Sequence, residues 1–205
     1  MLERSTGPWA LLQRASVYTA VQNLIGGPHL RRYIVERYIR PYPDDRVLDI
    51  GCGPADFVPL MPDVDYLGVD HNPDYIEQAR SRYGGRARFL HADVCDATAG
   101  IDGTFDIILA IGLLHHLSDP QAAALLAAAR RRLKAGGRVV TIDPALTTPQ
   151  HWMARLIIRN DRGRHVRSAT EYERLVQPAF SKVVMEVRTD LLRLPYTHVI
   201  MQCSA

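Results

Sequence analysis

Cysteine is scarce in this chain of 205 residues, and the three present, Cys52, Cys95 and Cys203, share no C-x-x-C spacing. An odd, scattered set excludes a disulfide framework and a cysteine-based zinc site, and it fits a reducing compartment. No metal is expected. Long apolar runs are missing too, so nothing in the chain is expected to cross a bilayer, and no basic stretch leads into an apolar one near residue 1. The expectation is a cytoplasmic protein with no membrane partner. Charge of one sign is also lacking: the net charge is +3, with no basic stripe interleaved with aromatics, which argues against nucleic acid as a partner. Internal repeats and low-complexity segments are absent. The length suits one domain. Composition says nothing about oligomeric state.

What the chain does have is alternation. Apolar residues recur at helical spacing from Pro8 to Ile25 and again at Leu30, Ile34, Tyr38 and Ile39. Short apolar strands are expected at Val47–Ile50, Asp65–Asp70, Arg86–Leu90, Phe105–Ala110 and Arg138–Asp143. Helices are expected between them, at Asp56–Met61, at Asp74–Tyr83 and from Ser118 to Lys134. This is the pattern of an α/β protein with an open, mostly parallel sheet and helices on both faces. Beyond strand five come a helical stretch at Trp152–Arg159 and a helix at Thr170–Val176, with Thr170 and Glu173 as its cap. Lys182–Thr189 and His198–Cys203 read as strands too close together for a crossover helix, hence an antiparallel hairpin. The whole is expected to be one doubly wound, Rossmann-like domain with a seven-stranded sheet.

In such sheets ligands bind beyond the carboxyl ends of the strands, near the switch point. The residues to watch therefore follow strands one to five: Gly51–Ala55, Asp70–Asn72, Asp93 and Val94, Ala110–His116, and Asp143–Leu146. Gly51-Cys52-Gly53 lets a ligand approach the backbone, because no Cβ stands in the way at the two glycines. Asp70 is placed either to accept both hydroxyls of a ribose or to cap the next helix. Asp93 is placed to accept from an exocyclic amine, with the N–H of Val94 beside it, or merely to close a turn. A dinucleotide fingerprint would want a glycine where Asp56 stands. A nicotinamide oxidoreductase is therefore an alternative rather than the favoured reading.

Taken together, Asp49-x-Gly51-x-Gly53-Pro54, then Asp70, Asp93, Phe105–Leu117 and Leu133–Val140 resemble the class I S-adenosylmethionine-dependent methyltransferases of the small-molecule type. The resemblance runs over roughly residues 18–205 and extends to the hairpin. It implies S-adenosyl-L-methionine as cofactor and a small-molecule methyl acceptor. The cofactor residues it implies are Tyr18, Asp49, Gly51, Cys52, Gly53, Asp70, His71, Asn72, Asp93, Val94, Ala110 and Ile111. Ala55 stands where many members have a third glycine, and only a tighter fit is expected from it. The parts are expected to be a helical lid (1–43), a cofactor-binding core (44–145), a substrate-side insertion (146–178) and the hairpin (179–205). A protein that keeps the fold and the cofactor without turnover is a further alternative.

The acceptor side is less determined. Of the adjacent pair His115 and His116, the resemblance implies that His115 faces the substrate, as a general base or an orienting donor, and that His116 packs inward. A purely structural role for both stands beside that reading. Asp143 either binds substrate or caps the turn before Pro144. Tyr18 either closes a lid over the methionine moiety or is a core aromatic. Arg155, Arg159, Arg162, Arg164 and Arg167 form a guanidinium cluster, with Arg162 and Arg164 as the expected contacts to an anionic acceptor; a solvated polar loop is the other account. Trp9 and Trp152 are each either a platform for the acceptor or core.

Overall fold

Gly27 and Pro28 open α1 (Gly27–Ile34), which runs into a π-helical turn, Val35–Ile39, in the computed structural model of residues 27–93, 101–160 and 163–204. The turn's open carbonyls are held by side chains: Gln202 donates to the Tyr38 carbonyl at 2.8 Å, and the Arg138 guanidinium donates to those of Ile39 and Arg40. The expected helix over Pro8–Ile25, with Trp9, Tyr18 and Gln22, lies outside the described residues, as do Val94, Cys95 and Arg162.

Strand β1 (Arg46–Ile50) lies inside the sheet, paired along both edges, and is buried from Val47 onward. A single turn of 3-10 helix at Val58–Leu60 replaces the longer helix expected there, since Pro59 and Pro62 withhold backbone donors. Then follow β2 (Asp65–Asp70), α2 (Pro73–Tyr83) and β3 (Arg88–His91). β3 starts later than expected because the amides of Arg86 and Ala87 close the end of α2 on the Tyr83 carbonyl. β4 (Phe105–Ile111) leads through a short 3-10 turn, Leu114–His116, to α3 (Asp119–Arg132), which carries a Ser118–Gln121 capping box.

The chain leaves α3 directly into β5 (Leu133–Leu146). Leu133 pairs with Phe105 and Arg138 with Ile107, so Lys134–Gly137 bulges out of the ladder rather than ending a helix. Next come α4 (Trp152–Arg159), the short β6 (Arg167–Ser168) and α5 (Ala169–Val176). The α5 cap is Ser168 with Glu171, two residues earlier than the expected Thr170 and Glu173, because β6 pairs with Ala145 and Leu146 and brings the strand to its end at Ser168. The chain closes with β7 (Lys182–Arg188) and β8 (His198–Ser204).

The strand order is β3-β2-β1-β4-β5-β8-β7, with β6 attached to β5 off this path. All neighbours up to β5 are parallel, and β8 runs antiparallel to both β5 and β7. The expected seven-stranded path with its hairpin is thus present. Period-2 alternation splits the strands between two cores. Leu48, Ile108, Val139 and Met201 pack under α3 and α5 with Tyr172, while Val47, Leu109, Val140 and Ile200 pack under α1 and α2 with Ile34 and Ile76. The chain leaves β1 toward β2 and β3 and returns to β4 on the other side. This sets the switch point between the carboxyl ends of β1 and β4. Among the described residues no helix is long and apolar enough to cross a membrane, and no cluster of His, Cys, Asp or Glu is arranged for a metal.

Candidate functional site

The loop after β1 turns on three left-handed residues, Gly51 (φ 76°), Gly53 (φ 53°) and Ala55 (φ 60°). Ala55 is fully buried and stands where a glycine would be relaxed. The missing glycine therefore carries a backbone strain, on the order of 1–2 kcal/mol, in addition to the tighter ligand fit expected from the sequence. The loop's amides point inward. Those of Gly51 and Cys52 donate to the Val69 carbonyl at 2.8 and 3.0 Å, and that of Gly53 donates to Asp70 Oδ2 at 2.9 Å. Asp70 is buried, and its Oδ1 accepts the Asn72 amide at 2.8 Å with the His71 ring beside it at 3.3 Å. Asp70 Oδ2 accepts one backbone bond and keeps a lone pair for a ligand, while Oδ1 is shared between the Asn72 amide and the His71 ring.

Asp49 lies buried beneath the loop and accepts the Tyr66 hydroxyl at 2.5 Å. Burial raises its carboxyl from the usual 3.8 to about 6, although the Tyr66 bond works against the rise. The Cys52 thiol is turned down toward β2, where a Cβ on Gly68 would lie 2.8 Å from its sulfur. Burial pushes that thiol far up, so it stays protonated, and only the Cys52 backbone is offered to a ligand. Asn72 Oδ1 caps α2 by accepting the amides of Asp74 and Tyr75, so its side chain is engaged with the helix. Asp93 is exposed and Ala110 buried, and Ile111 is half-buried on the rim of β4.

These contacts decide what the loop can hold. A pyrophosphate needs loop amides or a helix N-terminus aimed at it. Here the three glycine-loop amides are consumed by Val69 and Asp70, and a three-residue 3-10 turn follows instead of a helix. A Cβ at Gly53 would meet nothing within 4 Å, so that face is open. The Asp70 carboxylate borders it, and Asp49 lies buried beneath the loop. Open glycine backbone beside the Asp70 carboxylate fits a ligand bearing hydroxyls and disfavours a dinucleotide.

On the other side of the switch point, His115 and Asp143 form a buried pair. Asp143 Oδ1 accepts both the His115 amide at 3.1 Å and His115 Nδ1 at 2.8 Å. A carboxylate partner fixes the proton on Nδ1 and leaves the lone pair on Nε2. Asp143 Oδ2 is buried with no hydrogen-bond partner among the described residues. Asp143 therefore orients the imidazole, whereas the sequence offered substrate contact or a turn cap. His115 is only 5% exposed. His116 stays half-buried, so the more buried of the two is His115, the reverse of the packing expected. The cause is Asp143 below the ring and Gly163 above it: a Cβ on Gly163 would lie 2.0 Å from His115 Cδ2.

The segment covering His115 is tied to it. The His165 amide donates to the His115 carbonyl at 2.9 Å. Arg167, which the sequence grouped with possible anion contacts, is buried; it donates to the carbonyls of Leu114 (2.9 Å), Leu117 (2.7 Å) and His165 (2.9 Å) and pairs with Asp119 at 2.6 Å. It is therefore no contact for an acceptor. Arg164 is exposed and, with Arg159, borders a cavity of about 430 Å³ whose other lining residues are Leu146, Ile158, Gly163 and Val166. Trp152, 68% exposed, is not core. Sequence reasoning missed Tyr66 as the partner of Asp49 and Gly163 as the cover of His115. A polar-tipped aromatic at an inward strand position signals the first; nothing local signals the second.

Comparison with known proteins agrees with this geometry. Residues 47–137 match the model of a family described as a methyltransferase domain. A ubiquinone/menaquinone biosynthesis C-methyltransferase from Desulfotalea psychrophila is 31% identical over 146 residues, covering 68% of this chain and 56% of that one. A trans-aconitate 2-methyltransferase from Methylobacterium nodulans is 30% identical over 171 residues, covering 76% of this chain and 62% of that one. The chain thus spans less than two thirds of either relative's length. A SAM-dependent methyltransferase structure from Archaeoglobus fulgidus shares the fold, with a TM-score of 0.71 at 18% identity over 91% of this chain and 99% of that one. The sheet order and the family match converge: residues 47–137 form a methyltransferase domain, of the class I S-adenosylmethionine-dependent type.

Proposed function

We propose that this chain transfers a methyl group from S-adenosylmethionine to a small-molecule acceptor bearing an anionic group. The observation that carries the reading is the buried His115–Asp143 pair, covered by Gly163, which itself lines the cavity bordered by Arg159 and Arg164. On this reading Asp70 takes the ribose hydroxyls. Asp49, with the backbone of Gly51, Cys52 and Gly53, takes the methionine moiety. His71, Asn72, Ala110 and Ile111 complete the rim, and Asp93 and Val94 take the adenine. Tyr18 and Arg162 keep their expected roles, as lid residue and acceptor contact, outside the described residues. The parts keep the boundaries expected from the sequence, with the lid at 1–43 and the acceptor segment at 146–178.

The cofactor supplies a methyl group already activated on a sulfonium, so the protein's task is alignment and proton handling. His115 Nε2 accepts the proton an acceptor hydroxyl or ammonium gives up, and Asp143 holds Nδ1–H and offsets the charge that forms on the ring. Leu146, Ile158 and Val166 bury the apolar part of the acceptor, and Arg159 and Arg164 face its anion. The name of the Methylobacterium relative, for trans-aconitate, agrees with a carboxylate-bearing acceptor.

The test incubates the chain with methyl-labelled S-adenosylmethionine and a panel of carboxylate- and phosphate-bearing compounds with their neutral analogues. Label should pass to anionic members. Transfer to neutral members alone would sink the anionic assignment. Tight cofactor binding with no transfer to any fraction of a cell extract would favour a non-catalytic protein of the same fold.

A further inference from the structure

Arg167 reaches the His115 turn from both sides. Its Nη1 donates to the Leu114 carbonyl before the two histidines, at 2.9 Å, and its Nη2 to the Leu117 carbonyl after them, at 2.7 Å. The same guanidinium donates to the His165 carbonyl at 2.9 Å, while the His165 amide returns a bond to the His115 carbonyl at 2.9 Å. Asp119, whose side chain is 78% exposed, neutralises the cation through one oxygen. Tyr172 stacks beneath the guanidinium, with the charge 5.6 Å from its ring centroid. A planar fork of five donors can span two carbonyls in this way; an ammonium, a single point charge on a flexible stem, cannot hold the same spread.

The side chains of Leu113, Leu114 and Leu117 anchor the His115 turn in the core, and Asp143 holds its central amide, so what remains for Arg167 is the carbonyl side of the turn. The turn is a single 3-10 turn with no side-chain cap. Short 3-10 pieces have poor hydrogen-bond geometry, so the direction of the ring depends on what grips the turn from outside. Asp143 grips the ring from below, and Arg167 grips the backbone on either side. Gly163, His165 and Val166, in the same segment, form or adjoin the cavity wall.

We propose that Arg167 is a positioning residue: it locks the His115 turn to the 163–167 segment so that the cavity wall and the imidazole move as one unit. Groups bound in the cavity are then registered against His115 without touching Arg167. The proposal rests on His115 as the proton-accepting group for its catalytic meaning. Its test reads the imidazole itself, so the two can fail separately.

The test uses the full chain with Arg167→Lys and Arg167→Met, and Asp119→Asn as a control that leaves the carbonyl fork in place. Side-chain ¹⁵N NMR at fixed pH reports the His115 tautomer, and calorimetry reports affinity for S-adenosylhomocysteine. The unaltered chain and Asp119→Asn should show a single Nδ1–H tautomer. In both Arg167 variants the loosened turn should carry His115 Nδ1 away from Asp143, so that a mixture of tautomers appears, with S-adenosylhomocysteine affinity within about twofold of the unaltered chain, as expected for sites with no shared partner. A single tautomer in either folded Arg167 variant overturns the proposal. A mixture accompanied by a matching loss of S-adenosylhomocysteine affinity also overturns it, since that marks a general loosening of the rim. If neither Arg167 variant folds, native-state hydrogen exchange of the unaltered chain decides: the amides of His115, Leu117 and His165 should open together, and independent opening of His165 contradicts the lock.

Discussion

The two halves of the rim are built at different ranges along the chain. On the β1–β2 side the deciding contacts are short: Tyr66 to Asp49 and Asp70 to Gly53 are each separated by 17 residues. On the β4–β5 side His115 meets Asp143 across 28 residues, and Arg167 meets Leu117 and Leu114 across 50 and 53. The first half is one strand-loop-strand unit that carries its own partners. The second is assembled by elements that arrive separately, so each member depends on several others.

The sharpest way to break this comparison is at His115. His115→Ala should cut turnover by about 10²–10⁴-fold while leaving S-adenosylhomocysteine affinity unchanged; matching losses in both would mean the halves are not separate. Asp70→Ala should act in the opposite sense, weakening S-adenosylhomocysteine by about 2–4 kcal/mol through the loss of two charge-assisted bonds. Unchanged affinity in calorimetry would remove the ribose assignment. Gly163→Ala places a methyl where His115 Cδ2 already lies 2.0 Å away, and the displaced ring should lower turnover by about 10–100-fold with cofactor affinity intact.

Asp49 gives a pH test confined to the cofactor half. Its folded value, about 6, lies above the usual 3.8, because burial disfavours the charged form. Its burial therefore costs stability above about pH 6, and the cost is released as pH falls toward 3.8. Ligand binding has the reverse dependence if, as proposed, the ammonium of the homocysteine moiety rests on the Asp49 carboxylate. S-adenosylhomocysteine affinity should drop about tenfold from pH 7 to pH 5, and Asp49→Asn should abolish that dependence. The smallest effect is at Ala55. Ala55→Gly relieves the left-handed strain and should raise the unfolding free energy by about 1 kcal/mol or less, a few degrees in thermal melting, with no change in turnover.

The contrast in range also explains what could be read from the sequence. The β1 loop, the β2 carboxylate and the hairpin follow from local periodicity and glycine placement, and each stands where the pattern put it. Ala55 was seen as a missing glycine, but its positive φ appears only once Cys52 and Val69 fix the loop. Arg167 looked like one more cation in a polar run; its burial depends on two carbonyls fifty residues back. The cap of α5 moved to Ser168 because β6 pairs with β5, a contact no window of neighbouring residues contains. His115 was found as a residue, while its inward packing needed Gly163.

The most direct test of the account is a crystal structure of the chain with S-adenosylhomocysteine. The account predicts the ribose hydroxyls on Asp70, the homocysteine moiety over Gly51–Gly53, and the sulfur on the side of the rim facing His115 and the Arg159–Arg164 cavity. A sulfur directed away from His115, or a ligand seated without Asp70, would contradict it.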